Sequence, residues 1–455
     1  IITVDNGIAS IEGVAHAKAL GIDVLVTDHH LPADVLPEAA CIVNPNVKTS
    51  TFPSKSLAGC GVMYYVLLAL RAELRRRGVF TAETQPRLDA LSDLVALGTV
   101  ADVVRLDKNN RILVAQGLGR IRRGLAAPGI SALFTVAGRD WQKASARDIA
   151  FAVAPRINAA GRMEVDSDDE NAAPSGGHSA VYLMVARDEE VASEYGAFID
   201  TCNQDRKNID RSITQEAHEI IESRPELKNR KSTVIYNPKW MKGIVGIVAS
   251  RLIETYYRPT VVLTMSNGYV TGSARSVPGF DLYQAVESCA DLLENFGGHI
   301  YAAGLTMRPE NVEEFTRRFN DYVEEHIDPE MLIPQVEIDS ELLFSDITHK
   351  FRTTLNRFQP FGPENNAPVF VTRGVSNRGD ARLVGAEQEH LKMDLIQGQK
   401  PNTSIPAIAF QQPTHYEHVR SGKCIDVCYS VVENHYRGTV SAQLRIKDIK
   451  KTPVK

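Results

Sequence analysis

The sequence predicts an α/β protein that ends in a small β-barrel. Three observations carry this. Apolar strands alternate with helical stretches over the first 125 residues, and the same alternation returns after residue 225. From Pro334 onward, short strands separated by turn residues replace it. Strand–helix alternation reads as a parallel sheet, whereas closely spaced short strands read as a sandwich or barrel. The expected division is 1–125, a mostly helical connector region 126–225, a second α/β domain 226–333, and a barrel domain 334–455.

In order along the chain, "IITVDNG" is an apolar strand and Ala9 to Leu20 a helical stretch. The strand "DVLVTD" and the short run "CIVNPN" follow. A long helical pattern from Leu57 to Arg77 closes on "RAELRRRG", cations and a glycine, which suits a helix C-terminus. A helix from Asp188 to Ser223 bridges to "STVIYN", "PTVVLTM" and "YVTGSARS", read as strands around the helix "GIVGIVASRLIETYY". Helical stretches are expected at Leu282 to Asn295, Val312 to Glu325 and Ile347 to Phe358, before the strands of the barrel.

Bulk composition excludes several classes. The hydrophobic fraction of 43% and charged fraction of 24% are those of a globular protein. No apolar run has the length of a membrane span, and no signal peptide opens the chain. The six cysteines include no C-x-x-C pair, and Cys424 and Cys428 read as core thiols, so a reducing cytoplasm is expected. Net charge is −5, but it is unevenly placed. From Asp346 onward there are 16 Lys+Arg against 10 Asp+Glu, whereas the preceding residues hold 35 against 46. A basic tail on an acidic body is the asymmetry to watch.

The chemistry-bearing residues cluster at strand ends. Asp5 follows an apolar strand and precedes Asn-Gly; read alone it is a turn aspartate. "VTDHH" places Asp28, His29 and His30 where open α/β sheets bind ligands. "LSDLVALGTVADVV" presents Asp102 amid apolar residues, where a carboxylate must be paired, hydrogen-bonded or metal-bound. Carboxylates with an imidazole suit Mn2+ or Mg2+ better than structural zinc. In "APRINAAGRM", Arg156, Asn158 and Arg162 surround a small-residue turn that could grip phosphate, or they cap a helix. "GSARS" puts Ser273 and Arg275 on one strand face, and "FGGHIYAAG" offers Gly298 and His299 for close approach to a ligand.

Together, "TVDNG", "VTDHH", "ALGTVADVV", "APRINAAGR", "KGIVGIVASR", "GSARS" and "GGHIYAAG" resemble, in order, the DHH phosphoesterase superfamily. "FQPFGPENNAPVF" and "LRIKDI" resemble the OB-fold extension of its RecJ branch, so the resemblance runs over nearly the whole chain. It implies a DHH phosphoesterase parallel-sheet domain, a DHH-associated α/β domain and an OB-fold-like β-barrel. It implies a 5′→3′ exonuclease specific for single-stranded DNA, acting in repair and recombination. Asp5, His29 and Asp102 become metal ligands for Mn2+ or Mg2+ in a two-metal site; Asp28 orients a neighbouring ligand, and His30 lies near the scissile phosphate. Arg156, Asn158, Arg162, Ser273, Arg275, Gly298 and His299 become substrate-binding residues. Phe358, Phe361, Tyr429 and Tyr436 are available for base stacking. Single-stranded DNA is the expected partner, with a helicase and a single-strand-binding protein, for a monomer without membrane attachment.

One departure matters. The family opens with a D-x-D motif on its first strand, which this text lacks, while "DSDDE" at 166–170 sits elsewhere. The expectation is a fragment with an incomplete metal site and poor activity. The acidic loop 163–179 also exceeds the family norm. The alternatives are a nano-RNase or cyclic-dinucleotide phosphodiesterase of the same superfamily, which generally lack the barrel, and an inactive DNA-binding scaffold.

Overall fold

The computed structural model describes residues 1–163, 176–398, 404–436 and 439–452. The chain forms two units: Ile1–Ala126 with Asp140–Phe151 and Val336–Lys455, and Ala127–Arg139 with Ala152–Gln335.

The first unit opens with a parallel sheet of β1 (Ile2–Val4), β2 (Leu25–Thr27) and β3 (Cys41–Val43), in that order. Ile2 faces Leu25, and Leu25 faces Cys41. Parallel neighbours need a crossover, and the helix Ile11–Ala19 supplies it between β1 and β2. Its Val14 and Ala17 bury against Val24 and Val26. The helices Gly59–Arg76, Ser92–Ala101 and Lys108–Arg122 follow. Asp107 caps the last of these by accepting from the Asn110 amide at 2.9 Å.

In the second unit, the helices Pro128–Val136, Ala154–Arg162 and Gly176–Val185 lead to the 34-residue helix Glu189–Glu222. Asp188 caps that helix from the Glu190 and Val191 amides. A mixed sheet then forms from β4 (Thr233–Tyr236), β5 (Thr260–Ser266), β6 (Tyr269–Arg275), β7 (Leu293–His299) and β8 (Ala302–Met307). Its order is β4-β5-β6-β8-β7; only β4 and β5 are parallel, joined through the helix Lys242–Tyr256. Val261, Leu263, Leu305, Phe315 and Phe319 belong to its core.

Two expectations are corrected here. The helix expected at Leu282 to Asn295 ends at Glu287, and Leu293 onward is strand. Antiparallel pairing of Phe296 with Leu305 and of Gly297 with Gly304 overrides local helix propensity. "APRINAAGR" is a helix throughout, preceded by a π-helical turn at Ile149–Val153, not a small-residue turn.

The first unit ends in the barrel: β9 (Ser340–Glu341), β10 (Phe370–Asn377), β11 (Arg382–Val384), β12 (His390–Gln397), β13 (Ile405–Ala409), β14 (Ile425–Tyr436) and β15 (Thr439–Lys451). β10 pairs with both β14 and β12, so the ring β10-β12-β13-β15-β14 closes on itself. Alternation fills it: Leu391, Met393 and Leu395 of β12 point inward among Val427, Tyr429 and Leu444. Cys428 is buried but Cys424 is exposed, so only one of this pair is a core thiol. No helix among the described residues is long and apolar enough to cross a membrane.

Candidate active site

β1 stops at Val4, and the next residue turns sharply. Asp5 has φ 66°, the left-handed region, and its amide donates to Thr27 O at 3.0 Å. That hydrogen bond holds Asp5 at the C-terminal end of the sheet. Gly59, the first residue of its helix, makes room for it: a Cβ there would lie 2.4 Å from Asp5 Cβ.

Two residues past β2, His29 reaches the same place. Its Nε2 lies 3.0 Å from Asp5 Oδ1 and 3.4 Å from Asp102 Oδ2. Asp102 arrives from the C-terminus of the helix Ser92–Ala101, so the second carboxylate comes from a helix end. Burial raises the Asp102 carboxyl above its ordinary range; His29 opposes this and the Asp5 charge adds to it.

Asp28 is 1% exposed and accepts from four donors. Ile8 N reaches Oδ2 at 2.9 Å, while His29 N, His30 N and the His30 Nδ1 reach Oδ1 at 2.7, 3.1 and 2.7 Å. Burial alone would raise this carboxyl, but those hydrogen bonds win and hold it low. The same bond raises the His30 imidazole. Because Nδ1 of His30 is taken, its Nε2 is the nitrogen left for a ligand. Two asparagines that sequence reasoning passed over fix the loop backbone: Asn44 donates to His30 O at 2.9 Å and Asn46 to His29 O at 2.6 Å. Their signal was in plain sight as the "NPN" behind β3.

The donor set fits a divalent cation. His29 Nε2 is buried and, although two carboxylate oxygens lie close by, it is aligned with neither as a hydrogen bond. A buried polar atom without such a partner is costly. One ligand atom each from Asp5, His29 and His30 also falls within 4.8 Å of the others. Beside these imidazoles, Asp5 and Asp102 add carboxylate oxygens, the hard donors that Mn2+ or Mg2+ takes.

The expected substrate-binding residues lie in the second unit. Ser273 faces Gly304 across β6 and β8, and Gly297 faces Gly304 from β7. A groove of about 370 Å³ runs over this glycine, lined by Lys242, Thr271, Ser273, Asn295 and Gly297. Arg275 is half-buried, and a Cβ at Gly246 would sit 3.1 Å from its Nη2 and 3.2 Å from Ser273 Oγ. Burial, with Arg162 adding, lowers the Arg275 guanidinium. Arg162 is exposed and donates to Gly243 O at 3.1 Å. Lys242 and Gly246 were not singled out from the sequence. Gly298 has φ 153°, and a Cβ there would meet Ala302 O at 2.3 Å; the adjacent His299 is exposed.

Arg156 requires correction as a substrate group. It is buried, and its guanidinium is committed inside: Nε to Asp200 at 2.8 Å and Nη1 to Ala152 O at 2.6 Å. Asn158, two residues on, is exposed. Tyr429 is likewise spent in the barrel core, its hydroxyl bonded to Thr372 at 2.7 Å, while Phe358 is exposed and Phe361 half-buried. The side chain of Tyr436 and residues 164–175 of the acidic loop lie outside the described residues.

Comparison with known proteins agrees with this layout. Residues 1–99 match the DHH family, N-terminal domain, 229–325 the DHHA1 domain and 338–448 the RecJ OB domain. The single-stranded-DNA-specific exonuclease RecJ of Salmonella typhimurium is 40% identical over 461 residues, covering 99% of this chain and 77% of that protein. The crystal structure of RecJ from Thermus thermophilus in complex with Mn2+ superposes with a TM-score of 0.79 at 27% identity, over 100% of this chain and 62% of that one. Its Mg2+ complex superposes with a TM-score of 0.71 at 25% identity, over 100% of this chain and 67% of that one. With identity at this level running through all three domains, the chain belongs to the RecJ family of DHH phosphoesterases.

Proposed function

We propose that this chain is a divalent-metal-dependent exonuclease that degrades single-stranded DNA in the 5′→3′ direction during repair and recombination. The observation that carries the reading is the buried, unbonded Nε2 of His29 between the carboxylates of Asp5 and Asp102. The relatives are named as exonucleases specific for single-stranded DNA, and their solved structures contain Mn2+ or Mg2+, which supports the same reading.

In this reading Asp5, His29 and Asp102 hold the ion or ion pair. Bound there, a divalent cation supplies the positive charge that polarises a phosphodiester and favours deprotonation of the attacking water. Asp28 orients the loop and both histidines, and His30 offers its free Nε2 to the scissile phosphate. Arg162, Ser273 and Arg275 take backbone phosphates, helped by Lys242, Asn158 and the hairpin of Gly298 and His299. The division of labour follows the expected domains: 1–125 catalytic, 126–225 connecting, 226–333 substrate-binding and 334–455 holding the strand. The protein works as a cytoplasmic monomer, with a helicase and a single-strand-binding protein to supply its substrate.

The test is digestion of 5′-labelled single-stranded DNA, duplex DNA and short RNA with Mn2+ or Mg2+. Mononucleotide release from single strands alone is expected. Preference for dinucleotides would overturn the reading in favour of a nano-RNase or cyclic-dinucleotide phosphodiesterase. His29→Ala should abolish turnover while leaving DNA binding in place.

A further inference from the structure

The stretch "FQPFGPENN", residues 358–366, lies between the helix His349–Asn356 and β10, within the part that matches the RecJ OB domain. Its own hydrogen bonds shape it into a knob. Gly362 and Asn365 exchange both backbone bonds, at 3.1 and 3.0 Å, around Pro363 and Glu364. Asn365 Nδ2 donates to Phe358 O at 2.9 Å and to Pro360 O at 2.7 Å. The knob is held by residues just past Asp102. The Leu106 amide donates to Pro363 O at 2.8 Å, and Arg111 Nη2 donates to Phe358 O at 3.0 Å. Gly362 permits this approach, because a Cβ there would lie 2.6 Å from Cδ1 of the buried Leu106.

The segment gripped in this way is the one that carries Asp102. Its helix ends at Ala101, and Val103 turns with φ 59°. A β-branched residue rarely adopts the left-handed region, and it persists there only where the surroundings fix it. Val103 is 69% exposed, so its own side chain is no anchor. The anchors follow it. Asn110, fully buried, donates from Nδ2 to Arg105 O at 2.8 Å and to Ser56 O at 2.6 Å. Arg105 lies three residues past Asp102, and Ser56 three residues before Gly59, which presses on Asp5. One buried amide therefore ties the segments behind both carboxylates, and Pro363 holds one of them from the barrel side.

We propose that the loop 358–366 is a clamp that positions the Asp102 carboxylate through Leu106, so that the barrel domain sets the metal affinity of the catalytic domain. Asn110 carries the effect on toward Asp5. The clamp rests on the metal reading of Asp102, and its test does not depend on turnover.

Mn2+ affinity of the full chain is read by electron paramagnetic resonance, with urea unfolding in EDTA to verify that each variant folds. Gly362→Ala presses on Leu106, and Asn365→Ala unpicks the knob. Each should weaken Mn2+ binding roughly 3- to 30-fold, somewhat less than loss of a group bonded to a ligand itself. Adding Leu106→Val to Gly362→Ala removes the methyl group that the new Cβ meets, and should restore most of the affinity. Arg105→Ala breaks only an exposed ion pair with Glu364 and should leave Mn2+ binding unchanged. Oligo-dT binding in EDTA should stay at the wild-type level throughout. Wild-type Mn2+ affinity in Gly362→Ala and Asn365→Ala, with or without lost stability, would overturn the clamp while His29→Ala still loses the ion. Equal Mn2+ binding by the wild type and His29→Ala would instead overturn the metal reading, and the clamp with it. Should one loop variant fail to fold, the other decides.

Discussion

Asp5 fills the space that a side chain on Gly59 would need: a Cβ at Gly59 would lie 2.4 Å from the Cβ and 2.5 Å from the Oδ1 of Asp5. The proposed ligand and the helix start are therefore one unit. Gly59→Ala should push the carboxylate off His29 and weaken Mn2+ binding roughly 10- to 100-fold, the usual cost of disturbing a ligand's support. Titration of Mn2+ followed by electron paramagnetic resonance measures it. Unchanged affinity would mean that the neighbouring backbone absorbs the methyl group.

Asp28 should matter to folding as well as to turnover. Asp28→Asn weakens a set of four hydrogen bonds to a residue 1% exposed. A loss of about 2 kcal/mol in urea unfolding is expected, together with lost activity. Full stability with lost activity would show that the loop holds its shape without this carboxylate.

The two arginines of "APRINAAGR" should separate cleanly. Arg156→Ala strands Asp200 and should cost about 3 kcal/mol of stability. Arg162→Ala should leave unfolding within about 0.5 kcal/mol, since exposed substitutions seldom cost more. It should also lower the salt dependence of DNA binding by about 1. Six residues apart on a helix, the two side chains point about 120° apart, so they do not face one ligand together.

Stability should also fall on acidification through His218. Its ring is partly buried, hydrogen-bonded to the Tyr256 hydroxyl at 3.1 Å, and faces Glu222. Burial lowers its affinity for a proton, and Glu222 only partly opposes this. The unfolded chain therefore binds the extra proton first as pH drops through about 6.5. Stability is complete above that pH and is lost as pH falls toward the folded value. His218→Gln should show a shallower loss between pH 7 and pH 5 in parallel unfolding curves.

Much of the site was legible because the polar residues punctuate apolar strands. Asp5, His29 and Asp102 stand out by that contrast and do converge. The glycine hairpin was not legible as strand, because what makes Leu293–His299 a strand is β8, which pairs with it. Arg156 and Arg162 were indistinguishable until the helix set their directions and Asp200, on a distant helix, claimed one of them. Gly59 and Gly246 were invisible for a similar reason, since a glycine's purpose lies in what approaches it. The stacking candidates split likewise: Tyr429 reads like Phe358, and only the fold decides which ring is buried and which is exposed.

The left-handed backbone at Asp5 puts folding and function in opposition at one residue. Glycine would adopt φ 66° without penalty, so Asp5→Gly should relieve roughly 1 kcal/mol of strain. It would also take a negative charge away from Asp102, whose carboxyl that charge helps to raise. A screen for thermal stability alone would therefore favour replacing this aspartate, and the hardier protein it returned would have lost one carboxylate of the proposed metal site.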